Sequence, residues 1–568
     1  MKICFSGIVE SWVFTGWIIL HLNSNRCGCG KQTDLICLNI DFRCKHVQCR
    51  VYDQCTDEGI INEGTEGTNC MTENFNTEIP ADLLTANQVK VDGVHYEFAD
   101  GFPSGPTVKS ALDTVDHQRA VSLFLNMVPV ASLEAIRAGI QSNFTSGNTE
   151  QNWLICDDLM DSNSLYLTAN TDTVYAFCIL DLEKSGPVVL EIPPKCGPST
   201  INDATFTFVV DMGAPGPDRS EGGKYLVLGP DYDGPLNSVA NGETAEVDGQ
   251  TYFIAHTPTY INWVPCRGML VDGETKPASD SFRNGIKAYA LKDKSNPPAM
   301  NWLNASGMKK NTIHSNHASF FEEIHNVIQK EPTSAFNPEI LGVASGLGIR
   351  KGESFDKSAE RTEFFEKAAT AANAYARTVT FRPRVPEAYI YGEENSKWYT
   401  PMPAADYKFM VDGGAGGKDA DSRLMFFYLA TVNTPAMMIK IPGIGSQYGV
   451  VARDSAGEWL DGDRTYTFRL PPDAPAKDFW SFTVYDTQTR SMLQTDQKFP
   501  SVNSMRKDLH TQDDGSVLIK VGPNQPSSHA GNWIQTRPGK SWFAIFRLYG
   551  PLEPWFEKTW IPGEVEPN

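Results

Sequence analysis

The chain has 568 residues, with 49 Lys and Arg against 69 Asp and Glu, which gives a formal net charge of -20 at pH 7. Because so acidic a surface repels phosphate backbones, the composition disfavours nucleic-acid binding. The length, the 46 Gly and 36 Pro and the 11% aromatic content predict two large, loop-rich β-domains with connecting pieces.

The N-terminal 90 residues differ from the rest of the chain. Residues 1–25 resemble a signal peptide, because Lys2 precedes an apolar stretch over residues 12–22. That stretch is too short for a comfortable membrane span, so we expect a secreted or extracytoplasmic protein with no stable span. Residues 26–90 form a cysteine-rich region and a polar linker. In an oxidising compartment its cysteines would form disulfides, and the alternative is a thiolate metal site: Cys27, Cys29, Cys37, Cys44, Cys49, Cys55 and Cys70.

A first domain is predicted over residues 91–310. Val108, Leu112 and Val115 have helical spacing and lead into a second predicted helix over residues 133–140. Strand candidates separated by Gly, Pro and Asp turns follow. Residues 311–385 are a predicted helical connection, with amphipathic helices over residues 317–330 and 359–379.

Residues 386–568 are predicted to form a C-terminal β-domain. In the strand SWFAIFRLYG, Phe546 and Leu548 would point one way, and Ile545, Arg547 and Tyr549 the other. Both faces are largely apolar, so the strand is expected to be covered on both, as in a sandwich or jelly roll. The fold class is therefore α+β and β-rich, with a mixed first domain, a helical connection and a jelly-roll-like β-sandwich.

Four blocks carry a family resemblance: LTANTDTVYAFCILDL at 167–182, the run at 201–234, LGIRKGESFD at 347–356, and the C-terminal strands over 479–560. In this order they resemble the two-domain proteins that pair domain of unknown function 1254 with domain of unknown function 1214. The resemblance covers residues 91–564. It implies a first domain with a β-core, a helical connection and a jelly-roll-like C-terminal domain, typically in exported bacterial proteins. It brings no established mechanism, and any cofactor is unknown.

The sharpest candidate site is Asn170-Thr-Asp172-Thr-Val-Tyr175. Asn170 and Asp172 share one face of an extended segment, so a carboxylate, an amide and a phenol could bind polar substrate groups or supply acid/base catalysis. The structural alternative is that the Asn and Asp side chains bond to the backbone and fix the turn into the strand.

Arg547 is a guanidinium on a strand that is apolar on both faces, and a buried guanidinium needs a partner. Asp454, Asp486 or Asp496 would make this a structural ion pair. The functional alternative is a clamp for an anion or carboxylate.

A third pattern, His314-x-x-His317 with Glu322 nearby, could place two imidazoles for a metal ion, or could be capping and surface histidines. The sequence shows no Gly-x-Ser-x-Gly elbow, His-Glu-x-x-His pair or phosphate-binding loop.

Two functions are open at this point. The first is an exported hydrolase-like enzyme acting on a small or oligomeric organic substrate in an interdomain cleft, with Asp172 as acid/base and Tyr175 and Arg547 completing the catalytic set. Substrate-binding residues would be Asn170, Arg453, Tyr549 and Trp480. The second is a non-catalytic extracellular protein that binds a ligand or carbohydrate. A homo-oligomer is also among the expected assemblies, and no metal site is assigned.

Overall fold

A computed structural model describes the strands Trp17–His21 and Leu35–Asn39 and residues 77–568, except for residues 404, 439 and 529. The chain divides into two compact units, Met1–Leu84 and Thr85–Asn568. In the first unit, β1 (Trp17–His21) pairs antiparallel with β2 (Leu35–Asn39). Apart from residues 17–21, the predicted signal peptide lies outside the described residues, as do the thiols of the cysteine-rich region. The thiols that are described are free and buried: Cys156, Cys178, Cys196 and Cys266.

The second unit begins with a small antiparallel sheet and a long helix. The sheet contains β3 (Gln88–Val91), β4 (Val94–Ala99) and β5 (Phe102–Pro103), so the end of the predicted polar linker is a strand. Helix α1 (Gly105–Gln141) follows, capped by Ser104, whose hydroxyl accepts a hydrogen bond from the Thr107 amide at 3.3 Å.

The prediction of two successive helices here is wrong, because α1 continues through Pro129. Burial against other helices keeps the segment helical despite the missing proline amide. Within the described part of the chain, α1 is the one helix long and apolar enough to cross a membrane, and 78% of its apolar stretch is buried inside the protein.

The first domain is built on two larger sheets. The six-stranded sheet has the order β11-β10-β15-β8-β6-β17, with the bounds β6 (Asn152–Ile155), β8 (Val174–Asp181), β10 (Ser199–Asp203), β11 (Phe208–Met212), β15 (Ile261–Gly268) and β17 (Asn301–Asn304). The five-stranded sheet has the order β13-β14-β12-β9-β16, with the bounds β9 (Val188–Ile192), β12 (Gly223–Leu228), β13 (Thr244–Val247), β14 (Gln250–His256) and β16 (Lys287–Ala290). Shorter elements are β7 (Ser164–Leu165), which pairs with β18 (Lys310–Asn311), and helices α2 (Leu182–Ser185) and α3 (Lys276–Gly285).

Strand β8 is buried on both faces, and its side chains alternate between two apolar cores. Ala176 and Cys178 belong to the apolar core shared with the five-stranded sheet. Tyr175, Phe177 and Ile179 point the other way, into a second core formed with the helices. The side chains of β8 that face away from its partner sheet are therefore available to a site.

The helical connection packs against that second face. Its elements are α4 (Ser319–Lys330), α5 (Pro338–Gly346) and α6 (Ala359–Phe381). Two more helices, α7 (Ala420–Leu429) and α8 (Pro435–Met438), lie in the segment predicted as the C-terminal β-domain, ahead of its first long strand. The predicted helices over 317–330 and 359–379 correspond to α4 and α6 and are confirmed. Ala368, Ala372 and Ala376 of α6 are fully buried, and α6 packs closely against α1.

The C-terminal domain has two four-stranded sheets. One has the order β19-β25-β21-β22 and the other β24-β23-β20-β26. The bounds are β19 (Ser446–Val451), β20 (Tyr466–Leu470), β21 (Ala476–Asp486), β22 (Ser501–Asn503), β23 (Val517–Gly522), β24 (Trp533–Gln535), β25 (Trp542–Pro551) and β26 (Val565–Pro567), with helix α9 (Glu553–Phe556).

Strand β25 is buried along its whole length, as its two apolar faces predict. Phe546 and Leu548 lie in an apolar core that also contains Phe468 and Ile519 of the other sheet. Phe543 and Ile545 lie in the core shared with the helices and β8. The same alternation turns Arg547 toward the first domain.

Candidate functional site

The turn that leads into β8 is held by the Asn170 side chain. Asn170 Oδ1 accepts hydrogen bonds from the Asp172 amide at 3.1 Å and from the Thr173 hydroxyl at 3.2 Å, and Asn170 Nδ2 donates to the Tyr175 hydroxyl at 2.6 Å. These are the bonds that the structural alternative predicts. They also fix the Tyr175 phenol, whose own hydroxyl proton stays available to another acceptor.

Thr168, in the same turn, adopts a left-handed backbone conformation with φ of 40°. This is a costly conformation for a β-branched residue, so the surroundings must hold it in place. The Thr168 amide donates to the Arg490 carbonyl at 3.0 Å, its hydroxyl donates to the Leu429 carbonyl at 2.6 Å, and its carbonyl accepts from Arg547 Nη2 at 2.7 Å. All three partners lie beyond the first domain, so the turn is shaped by the rest of the chain.

Asp172 is fully buried at the junction of the two domains. Its Oδ1 accepts from Asn503 Nδ2 at 2.9 Å and from the Thr171 hydroxyl at 3.4 Å, and its Oδ2 accepts from the Tyr549 hydroxyl at 3.3 Å. Burial raises the pKa of Asp172 above the ordinary carboxyl value, although the Arg547 charge and the hydrogen bonds from Asn503 and Tyr549 lower it in part. Both oxygens therefore have partners within the protein.

A cavity of about 60 Å³ lies between the two domains beside this turn. Its walls come from the turn, β8 and β15 on one side and from β19 and β25 on the other, with α7 and the following segment closing one end. The lining residues that carry polar or charged groups are Tyr166, Thr168, Asn170, Tyr175, Arg267, Thr431, Tyr448 and Arg547.

Arg547 supplies a positive charge to this cavity while being only 4% exposed. Its guanidinium lies 5.7 Å from the centre of the Tyr448 ring and 5.6 Å from that of Tyr485, and among the described residues its Nη1 has no hydrogen-bond partner. The stacking is favourable, but it does not neutralise the charge.

The three carboxylates predicted to pair with Arg547 are engaged elsewhere, so that prediction is wrong. Asp454 pairs with Arg464 at 3.7 Å, Asp486 with Lys540 at 2.7 Å, and Asp496 accepts from Gln535 at 3.0 Å. The physical reason is strand alternation, which directs the Arg547 side chain across the domain junction.

Arg267 on β15 is a second guanidinium on the cavity wall. It lies 5.6 Å from the centre of the Tyr175 ring. No described carboxylate lies within 4.0 Å of either Arg267 or Arg547. Sequence reasoning missed Arg267, although it follows the apolar run WVPC in the same way that Arg547 follows WFAIF. Two positive charges thus face one small cavity with no described carboxylate in direct contact, and the Asp172 carboxylate behind the wall acts on Arg547 only through its charge.

Comparison with known protein families assigns the two sides of the cavity to two different domains. Residues 152–290 match the family described as protein of unknown function (DUF1254). Residues 445–553 match the family described as protein of unknown function (DUF1214). The chain belongs to the family that pairs these two domains. Arg267 and Tyr175 therefore come from the DUF1254 domain, and Tyr448 and Arg547 from the DUF1214 domain.

The solved structures similar to this chain include two of uncharacterised proteins. The VPA0106 protein from Vibrio parahaemolyticus is 15% identical with a TM-score of 0.46, over 80% of this chain and 100% of that one. A putative uncharacterized protein from Burkholderia cenocepacia is 11% identical with a TM-score of 0.33, over 81% of this chain and 95% of that one. A search of curated proteins finds no match.

The predicted site residues separate into three groups in the paired domains. Asn170, Tyr175 and Arg547 line the cavity. Asp172 and Tyr549 lie behind its wall, bonded to each other.

The third group lies away from the cavity. Arg453 pairs with Glu393 at 2.9 Å and donates to the Tyr389 hydroxyl at 3.2 Å. Trp480 is buried in the apolar core to which both C-terminal sheets contribute residues, 6.3 Å from the Phe546 ring.

The two predicted histidines do not act together. His314 is buried, with Nδ1 2.9 Å from the Ser315 carbonyl and Nε2 3.4 Å from Arg490 Nη2. Burial and then the Arg490 charge lower the pKa of His314 to about 3, so the ring is a neutral acceptor. His317 is exposed and pairs with Glu366 at 2.7 Å. In the described residues no group of three or more His, Cys, Asp or Glu side chains is placed to hold a metal ion.

Proposed function

We propose that this protein binds a small organic anion in the cavity between its DUF1254 and DUF1214 domains. The observation that carries the proposal is the pair Arg267 and Arg547, two guanidiniums that line one cavity with no described carboxylate within 4.0 Å. Leaving a buried charge unpaired is costly, so an anion between the two guanidiniums would stabilise the junction.

The remaining lining suits a carboxylate. An arginine can donate two parallel hydrogen bonds to the two oxygens of one carboxylate. Tyr175 is oriented by Asn170 and has a hydroxyl proton to donate, and Tyr448 supplies a second phenol to the wall. A neutral sugar would leave the charges unmatched, so this site favours an anion over a carbohydrate.

The hydrolase hypothesis remains a proposal with weaker support. It needs a group on the cavity wall that accepts or donates a proton. Tyr175 meets that condition, whereas Asp172 lies behind the wall with both oxygens bonded within the protein. The geometry therefore supports binding better than hydrolysis.

The test compares a carboxylate with its neutral amide on the full chain by calorimetric titration. We expect butanoate to bind and butanamide not to bind. Arg267→Met should weaken butanoate binding about tenfold or more, since a charge-assisted hydrogen bond contributes about 1.5–3 kcal/mol. Arg267 is the cleaner choice because Arg547 also holds the Thr168 carbonyl.

Arg453→Met is the matched control, because Arg453 is buried yet lies away from the cavity. It should lower the melting temperature and leave butanoate affinity unchanged. Equal binding of the amide and the carboxylate, or unchanged affinity in Arg267→Met, would show that the proposed anion site is wrong.

We also propose that the protein acts outside the cytoplasm and that the two DUF1214 sheets form a jelly-roll-like sandwich. The leader-like residues 1–25 support the first, and the shared core of the two sheets supports the second. Mass spectrometry of the mature N-terminus tests export, because a chain that still begins at Met1 would argue against cleavage.

A further inference from the structure

A second cavity of about 110 Å³ adjoins the first. The two cavities share four lining residues, Pro265, Arg267, Val432 and Met437. Arg267 therefore faces both, and a ligand held by its guanidinium has space on either side of it.

The second cavity is mainly apolar. Its wall includes Pro198, Pro215, Ala436 and Ile444, and Ile444 is 59% exposed at the rim. A ligand that covers this isoleucine removes apolar surface from water, which favours binding of an apolar group. The lining of the first cavity is thus cationic and that of the second is apolar, with Arg267 shared between them.

We propose that the ligand is a monocarboxylate with an apolar tail, its carboxylate between Arg267 and Arg547 and its tail in the second cavity. This inference rests on the proposed anion site and adds the class of molecule that the site accepts. The order of the two cavities fixes the orientation, because Arg547 lines only the first.

Asp211 limits the ligand to one carboxylate. It lies on the wall of the second cavity, is 8% exposed, and accepts hydrogen bonds from the Thr434 hydroxyl at 2.7 and 2.8 Å. No described Lys or Arg pairs with it within 4.0 Å. A second carboxylate at the far end of the ligand would meet this negative charge, since like charges at close range repel.

The experiment titrates the full chain with propanoate, butanoate, hexanoate and octanoate. Affinity should rise about fourfold per added methylene until the second cavity is filled, because each buried methylene contributes a constant increment. Hexanedioate should bind at least about tenfold more weakly than hexanoate, and Asp211→Asn should recover part of that loss.

Ala214→Phe tests the position of the tail, because Ala214 is exposed and lines the second cavity. It should abolish the dependence on chain length and leave propanoate affinity unchanged. Ala240→Phe is the matched control, an exposed alanine outside both cavities, and should preserve the dependence.

The outcomes separate the two proposals. If propanoate binds and octanoate binds no more tightly, or if Ala214→Phe keeps the length dependence, the inference about the tail is wrong and the anion site stands. If no carboxylate binds, the anion site itself fails, and the inference fails with it.

Discussion

Asn170 contributes to the site through the turn that it holds. It is 4% exposed, and its side chain bonds the Asp172 amide, the Thr173 hydroxyl and the Tyr175 hydroxyl. Asn170→Ala would leave these buried groups without their partner, at about 1–3 kcal/mol for each group left unpaired. We therefore expect a loss of at least about 2 kcal/mol in the free energy of unfolding, measured in urea. The exposed Asn237→Ala should change it by less than about 0.5 kcal/mol, and equal effects would contradict this role.

At this scale the sequence predicted some site residues and missed others. Asn170, Tyr175 and Arg547 were found because polar groups in an apolar strand context require an explanation. Thr168 was missed because its role depends on a positive φ and on three partners distant in sequence. Arg453 was assigned to the site by its neighbourhood in the sequence, but its partner Glu393 lies elsewhere in the fold.

Helix α6 shows how an element is positioned by small side chains. Its buried Ala372 faces the neighbouring helices, and α1 lies close to α6. Ala372→Leu would force extra methyl groups into a filled space, which costs about 1–3 kcal/mol. The matched variant Ala371→Leu is on the exposed side of the same helix and should change the melting temperature little. Similar melting temperatures for the two variants would mean that the helix pair has room to adjust.

Elements with a clear hydrophobic period could be predicted from the sequence, whereas elements that depend on packing against distant residues could not. The apolar stripe of α4 and the alternation of side chains along β25 are local sequence patterns, and each is enough to predict its element. In contrast, two successive helices were predicted where α1 is continuous, and burial of the apolar residues on both sides of Pro129 explains its continuity. For residues 170–175 the sequence left two alternatives, a polar face of an extended segment or a turn fixed by side chains, and the Asn170 hydrogen bonds are those of the turn.

At the scale of the whole molecule, buried carboxyl groups make stability depend on pH. Burial raises the pKa of Asp203 and Asp211 to about 6 and that of Glu331 to about 7. The folded state therefore binds protons that the unfolded state releases. Their stabilising contribution is complete below the ordinary carboxyl pKa and is lost as the pH rises through about 6 to 7.

We accordingly expect the free energy of unfolding in urea to be larger near pH 5 than near pH 8. For Asp203 alone the difference is about 1.4 kcal/mol, because only about one pH unit separates pH 5 from its folded pKa of about 6. Asp203→Asn should remove the part of this pH dependence that comes from Asp203. Asp82 is exposed, and Asp82→Asn should leave the pH dependence unchanged. A stability that is flat or rises between these two pH values would contradict the protonation of these groups.

The order of the two domains and the α+β class were predictable from sequence blocks and composition. The cavity was not, because its walls are contributed by residues as far apart as Arg267 and Arg547, and no local pattern reports which faces meet. The partners of the charged groups at the junction depend on which faces pack together, and this is why the ion-pair prediction for Arg547 failed.

The backbone conformation of Thr168 depends on contacts from the other domain. Its strained backbone is tolerated because groups contributed by Arg490 and Arg547, both in the DUF1214 domain, hold it from outside. Arg490 contributes its backbone carbonyl and Arg547 its side chain, so a substitution at Arg547 would remove a donor from the Thr168 carbonyl. The shape of a turn in one domain thus depends on a side chain of the other, and we expect these two positions to vary together in evolution.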